Sequence, residues 1–123
     1  ACYQGNNSSS WSTTSDRRIK KNITDFNTGL SVINQIQVRN FEYKTEDEIK
    51  TDNPELTNVV KTAVVNKSGT QIGLIAQEAE AVASGLAKKT SHGIYSLETD
   101  DLFWYMLNAI KELSTKVAAL EAA

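Results

Sequence analysis

The stretch Leu102-Phe103-Trp104-Tyr105-Met106-Leu107-Asn108-Ala109-Ile110-Lys111-Glu112-Leu113-Ser114-Thr115-Lys116-Val117-Ala118-Ala119-Leu120 decides the architecture of this chain. Phe103, Met106, Ile110, Leu113, Val117 and Leu120 fall at alternating steps of three and four, which is the a/d seam of a coiled coil over three short heptads. Thr99 stands where an N-cap belongs, and Asp100 and Asp101 suit the positive end of a helix. The pattern predicts one helix over 99–123. Its first turns, 102–107, are apolar almost all round and are expected to be buried against the rest of the domain. Beyond them the apolar face narrows to a seam that packs with copies of itself. Ile110 and Val117 at a, with Leu113 and Leu120 at d, favour two strands in simple coiled coils. The competing expectation is a helix lying wholly on its own core, because three heptads is the lower limit for assigning a coiled coil.

Upstream of this helix the texture is mixed, and the predicted class is α+β, a small domain of short strands and helices. Phe26, Leu30, Ile33 and Ile36 recur at helical spacing behind Thr24 and Asp25, which predicts a helix over 24–37. Phe41 and Tyr43 alternate with charge in 38–44, as in a strand with one face on a core. Residues 45–58 are acidic and polar with a turn at Asn53-Pro54, and read as an exposed excursion whose carboxylates are solvated. Val59–Val65 reads as a strand ending at the turn Asn66-Lys67-Ser68-Gly69, and Gln71–Ala76 as a buried strand. Gln77–Ala83 reads as a short helix ending near Gly85. Residues 86–90 and 94–98 read as a strand pair turning at Ser91-His92-Gly93. Residues 1–14 are rich in Ser, Thr and Asn, with Tyr3 and Trp11 as the large anchors, and read as a loop or an arm laid over a neighbour.

Composition excludes several classes. The net charge is −2, so no broad basic field for nucleic acid exists. Cys2 is the sole cysteine, which rules out an intrachain disulfide and a cysteine-based metal site. His92 is the sole histidine and sits in loop chemistry, away from any triad pattern. No metal or cofactor is expected. No apolar run approaches the roughly 18 residues of a membrane span, and no signal-peptide pattern is present. A chain opening at Ala1-Cys2 without Met is expected to be a piece of a longer protein.

The chemistry concentrates in Ser15-Asp16-Arg17-Arg18-Ile19-Lys20-Lys21-Asn22-Ile23. A serine hydroxyl needs a base to act as a nucleophile, and lysine serves when burial disfavours its ammonium form. Ser15 and Lys20 are five apart. In a helix they would stand about 140° apart, and in a strand on opposite faces. They meet only if the chain turns between them, or if the lysine comes from another subunit. A site assembled that way is silent until the chain has folded or associated.

The pattern Ser-Asp-x-Arg-x-Lys over 15–20 followed by Asn22-Ile23, then Gly73-Leu74-Ile75-Ala76-Gln77-Glu78, then Ala109-Ile110-Lys111-Glu112-Leu113, resembles the C-terminal intramolecular chaperone domains of phage tailspikes, tail fibres and endosialidases. A related domain occurs in membrane-bound transcription factors of the myelin regulatory factor type. The resemblance implies a homotrimer whose C-terminal helices form a coiled coil. It divides the chain into the end of an upstream fibre or spike (1–14), an autoprotease chaperone domain (15–98) and a coiled-coil helix (99–123). It implies a single-turnover serine endopeptidase that cuts at Thr14–Ser15, with Ser15 as nucleophile and Lys20 as general base. Asp16, Arg18 and Asn22 match motif positions and would orient the junction; Gln77 and Glu78 would support it. Partners are two further copies and the upstream fibre, with no nucleic acid and no membrane. The setting that the resemblance implies is the host cytoplasm during virion assembly, with release from the mature fibre after the cut. Two rivals stand beside this reading. One is a non-catalytic trimerisation or receptor-binding tip. The other is a nucleotide-responsive release module, for which Arg17, Arg18, Lys20 and Lys21 are the only basic cluster and no Gly-rich phosphate loop is present.

Overall fold

The computed structural model describes the backbone of residues 2–4 and 11–123 and the side chains from Thr13 onward. In chain order the elements are β1 (Cys2–Gln4), β2 (Trp11–Thr13), α1 (Leu30–Ile33), β3 (Arg39–Phe41), α2 (Glu46–Asp52), α3 (Val60–Ala63), β4 (Gln71–Gly73), α4 (Ala76–Val82), β5 (Ala87–Lys89), β6 (Tyr95–Leu97) and α5 (Asp100–Ala122). Short 3-10 turns lie at Arg17–Ile19, Pro54–Val59 and Ser84–Leu86. The strands form antiparallel pairs, β1 with β2, β3 with β4 and β5 with β6. The class is mixed α/β with a long C-terminal helix.

The core is small. Val32, Ala79 and Leu86 form its centre, and Ile36, Leu74, Val82, Leu97, Leu102 and Tyr105 pack around them. Leu86 is 2% exposed, and a leucine so buried contributes about 1.5–3 kcal/mol of apolar transfer. The β5–β6 hairpin forms as expected. Thr90 and Ile94 close it by a backbone bond of 2.8 Å, and Gly93 takes φ 81°, a left-handed turn that glycine adopts freely. Helix α4 also falls where the pattern placed it.

Several expectations are corrected. The helix expected over 24–37 shrinks to the single turn α1, because α5 binds the carbonyls of Phe26 and Thr28 and holds that stretch out of a helix. Residues 45–58 are not a plain excursion. Thr45 caps α2 by accepting from the Glu48 amide (3.2 Å), and Glu48 accepts from the Thr45 amide (2.9 Å), a complete capping box. Val59–Val65 contains a helical turn in place of a strand. Val60 is buried in α3, and Pro54 opens the 3-10 turn that leads into it. β4 is not a buried strand, since Ile72 faces outward and is 78% exposed. Residues 2–4 and 11–13 are strands, not loop. The loop expected over 5–10, and the side chains of Tyr3 and Trp11, lie outside the described residues.

The start of α5 departs most from expectation. Thr99 occupies the cap position, but its side chain makes no capping bond. Leu102, Tyr105 and Ala109 meet the body, whereas Phe103, Trp104, Met106 and Leu107 are exposed. The single chain therefore does not bury this segment. Its accessible surface is 9864 Å², against about 6,500 Å² for a folded monomer of this mass.

Candidate functional site

The motif over 15–20 folds into one tight turn. Asp16 caps the 3-10 turn Arg17–Ile19, its Oδ1 accepting from the Arg18 amide at 2.8 Å. The Arg18 guanidinium donates back to the same carboxylate, Nε to Oδ1 at 3.1 Å and Nη2 to Oδ2 at 2.7 Å. These bonds hold the Asp16 carboxyl below the usual carboxylate range, so the clamp stays ionised through mild acid and is lost only as pH falls through that lowered value. Backbone bonds Ile19 N–H to Asp16 O and Lys20 N–H to Arg17 O, both 3.1 Å, close the turn.

The turn solves the spacing problem raised by the sequence. It folds Lys20 back onto Ser15, and Nζ donates to Oγ at 2.6 Å within one chain. The same geometry would let a neutral amine take the hydroxyl proton. Both side chains are exposed, so the single chain does not supply the dry surroundings that a lysine base requires. Thr14 is also exposed. Asn22 takes φ 53°, a left-handed conformation that asparagine tolerates.

Residues far along the chain anchor the stretch that follows the motif, Phe26 to Leu30. Asn108 Nδ2 on α5 donates to Phe26 O at 2.9 Å and to Thr28 O at 3.0 Å. Gly29 lies against α5 so closely that a Cβ there would stand 2.4 Å from the Ala109 nitrogen. Glu112 Oε1 accepts from the Leu30 amide at 3.3 Å, capping α1. Phe26 packs edge-on against Tyr105. Asn108, Gly29 and Glu112 were not among the expected site residues, and only the block Ala109–Leu113 pointed near them.

Gln77 and Glu78 lie elsewhere. Glu78 pairs with Arg39 on β3, at 3.0 and 2.8 Å, which ties α4 to the β3–β4 sheet and holds the Glu78 carboxyl below its ordinary range. Gln77 lines an apolar groove with Phe41, Tyr43, Val65 and Tyr95. Among the described residues neither hydrogen-bonds Ser15 or Lys20. The seam residues Phe103, Met106, Ile110, Leu113, Val117 and Leu120 all face solvent. Among the described residues no cluster of potential metal ligands occurs, and no helix is long and apolar enough to cross a membrane.

The chain combines a small mixed body, a tight hydroxyl–amine turn and a long helix with an open apolar face. The family model described as the chaperone of endosialidase matches residues 15–88, more than half of the chain, and the chain belongs to that family. Membership supports an intramolecular chaperone role tied to an upstream fibre protein. No curated protein matches the chain.

Proposed function

We propose that this domain trimerises the fibre or spike that precedes it, guides its folding, and then cuts itself free at Thr14–Ser15. The observation that carries the reading is the 2.6 Å contact between Lys20 Nζ and Ser15 Oγ, in a turn that opens the family match. Residues 1–14 are the end of the upstream protein, 15–98 the chaperone and 99–123 the coiled-coil helix. The six seam residues pair between three copies and cover part of the surface a single chain leaves open.

In the chemistry, neutral Lys20 Nζ takes the Ser15 hydroxyl proton while Oγ attacks the Thr14 carbonyl carbon. The Thr14–Ser15 C–N bond breaks, and the proton passes to the departing Ser15 nitrogen. The product is an ester between the Thr14 carbonyl and Ser15 Oγ, with a free Ser15 amine. Water hydrolyses the ester to the Thr14 carboxylate and restores the hydroxyl. Asp16 and Arg18 act by holding the turn. The cut takes place during virion assembly in the host cytoplasm, and losing the clamp makes trimerisation hard to reverse, so the mature fibre is kinetically stable.

Intact mass under denaturing conditions tests this. The wild-type chain is expected to lose residues 1–14 and begin at Ser15, with a trimer in native mass. Ser15→Ala is expected to abolish the cut and keep the trimer, and Lys20→Ala to do the same. Processing of Ser15→Ala at the normal rate sinks the assignment. The exposure of both side chains favours a second reading, a non-catalytic trimerisation or receptor-binding tip, which predicts an uncut trimer at every pH.

A further inference from the structure

The seam does not account for all the apolar surface of α5. With Phe103 at a and Met106 at d, Leu102 and Ala109 fall at g, Tyr105 and Glu112 at c, Trp104 at b and Leu107 at e. The body packs on the g/c flank. Trp104 and Leu107 lie on the opposite b/e flank and are 55% and 43% exposed. With Phe26, Tyr105, Asn108 and Asp101 they line a groove of about 470 Å³, within the size range of sites that take a ligand or a short segment. In a ring of parallel helices, e positions of one copy face g positions of the next. Leu107 at e sets one edge of the groove toward the flank on which the neighbour carries its body, while Asp101 and Asn108 at f carry the groove across the outer face of α5.

The neighbour's junction has the matching chemistry. Ile19 and Ile23 are 65% and 55% exposed. Arg17 and Lys21 are cationic, and among the described residues neither has an ion-pair partner. Asp101 on the groove and Asp100 beside it are likewise unpaired among the described residues. A basic apolar strip and an acidic apolar groove thus sit on one chain without meeting.

We propose that residues 17–23 of one copy dock into the Phe26–Trp104–Leu107 groove of the next, with Arg17 and Lys21 against Asp100 and Asp101. This rests on the trimeric self-cutting reading above and names the surface that completes it. Seating the strip covers the exposed Ser15–Lys20 pair and removes it from water, so each junction becomes competent only when a neighbour is in place.

Charge exchange in the full chain tests it. One variant carries Asp100→Lys with Asp101→Lys, and a second carries Arg17→Glu with Lys21→Glu. Each alone is expected to remain a trimer by native mass and to cut about tenfold more slowly or worse, since like charges then face each other. A chain carrying all four substitutions is expected to cut at close to the wild-type rate. Equal amounts of the first two variants, refolded together, are expected to cut about half of their junctions at that rate, because in a head-to-tail ring half of the contacts then join opposite kinds. Undiminished cutting by the single-sided variants overturns the proposal, as does a four-substitution chain that fails to cut. Rescue in the four-substitution chain without rescue in the mixture also overturns it, by placing the pairing within one copy. A wild-type chain that does not trimerise or cut overturns the parent reading instead.

Discussion

The body around Leu86 and the helix α5 divide the chain's apolar residues in opposite ways. Around Leu86, α4, the β5–β6 hairpin and the 3-10 turn between them close on each other, and the 2% exposure of Leu86 marks a site complete within one copy. Along α5, only Leu102, Tyr105 and Ala109 find partners, while Ile110, Leu113, Val117 and Leu120 stay half-exposed or more. The first region closes within one copy, and the second leaves its apolar surface open. The stretch that follows the Ser15–Lys20 turn, Phe26 to Leu30, is tied to the second, through Asn108, Ala109 and Glu112.

The largest effects separate these two regions. Leu86→Ala is expected to cost about 2–5 kcal/mol, the range for a buried leucine, at every protein concentration. Leu113→Ala removes the same atoms from an exposed position and is expected to leave the body's unfolding unchanged while weakening assembly. Denaturant unfolding at two concentrations tells them apart. If Leu113→Ala lowers stability equally at both, the helix is completing its own domain and the contrast fails.

The contrast was only partly legible in the sequence. Helix α5, α4 and the β5–β6 hairpin follow from periodicity and turn residues, which are local signals. The buried start expected for α5 was not found, because an apolar run marks hydrophobic surface without naming what it packs against, and here only Leu102, Tyr105 and Ala109 meet the body. The Val59–Val65 segment misled because β-branched residues favour strands only weakly, and the burial of Val60 overrides them. The α2 capping box was present in Thr45-Glu46-Asp47-Glu48 but was masked by the acidic run around it. At the site, the spacing of Ser15 and Lys20 called for a turn between them or a lysine from another subunit, and Asp16 caps a turn that brings the two together within one chain. The anchoring by Asn108 spans 80 and 82 positions and leaves no local trace, since its two acceptors are backbone carbonyls.

A second break lies where the two regions join. Gly29→Val would place a Cβ 2.4 Å from the Ala109 nitrogen and 2.7 Å from the Asn108 carbonyl carbon. Both are backbone atoms of α5 and cannot rotate aside. Overpacking costs about 1–3 kcal/mol where side chains can yield, and this site is expected at or above the top of that range. Hydrogen exchange over 30–36 should then rise while the amides of β5 and β6 stay protected. Equal loss of protection everywhere would show that α5 and the body unfold as one unit.

The finest test replaces Asn108. Its amide donates to Phe26 O and Thr28 O, so Asn108→Ala leaves both carbonyls without that donor and is expected to cost about 1–2 kcal/mol, the scale of one or two lost hydrogen bonds at a partly open site. Asn108→Asp keeps the shape but points carboxylate oxygens at carbonyl oxygens, so it is expected to destabilise at least as much as alanine. A simple loss of packing would order them the other way, because aspartate preserves the side-chain volume. The same pair of variants reports on the junction. If Asn108 positions the turn that holds Ser15 and Lys20, both variants slow processing by more than their stability loss explains, and a single-turnover time course at a temperature where each remains folded measures the difference.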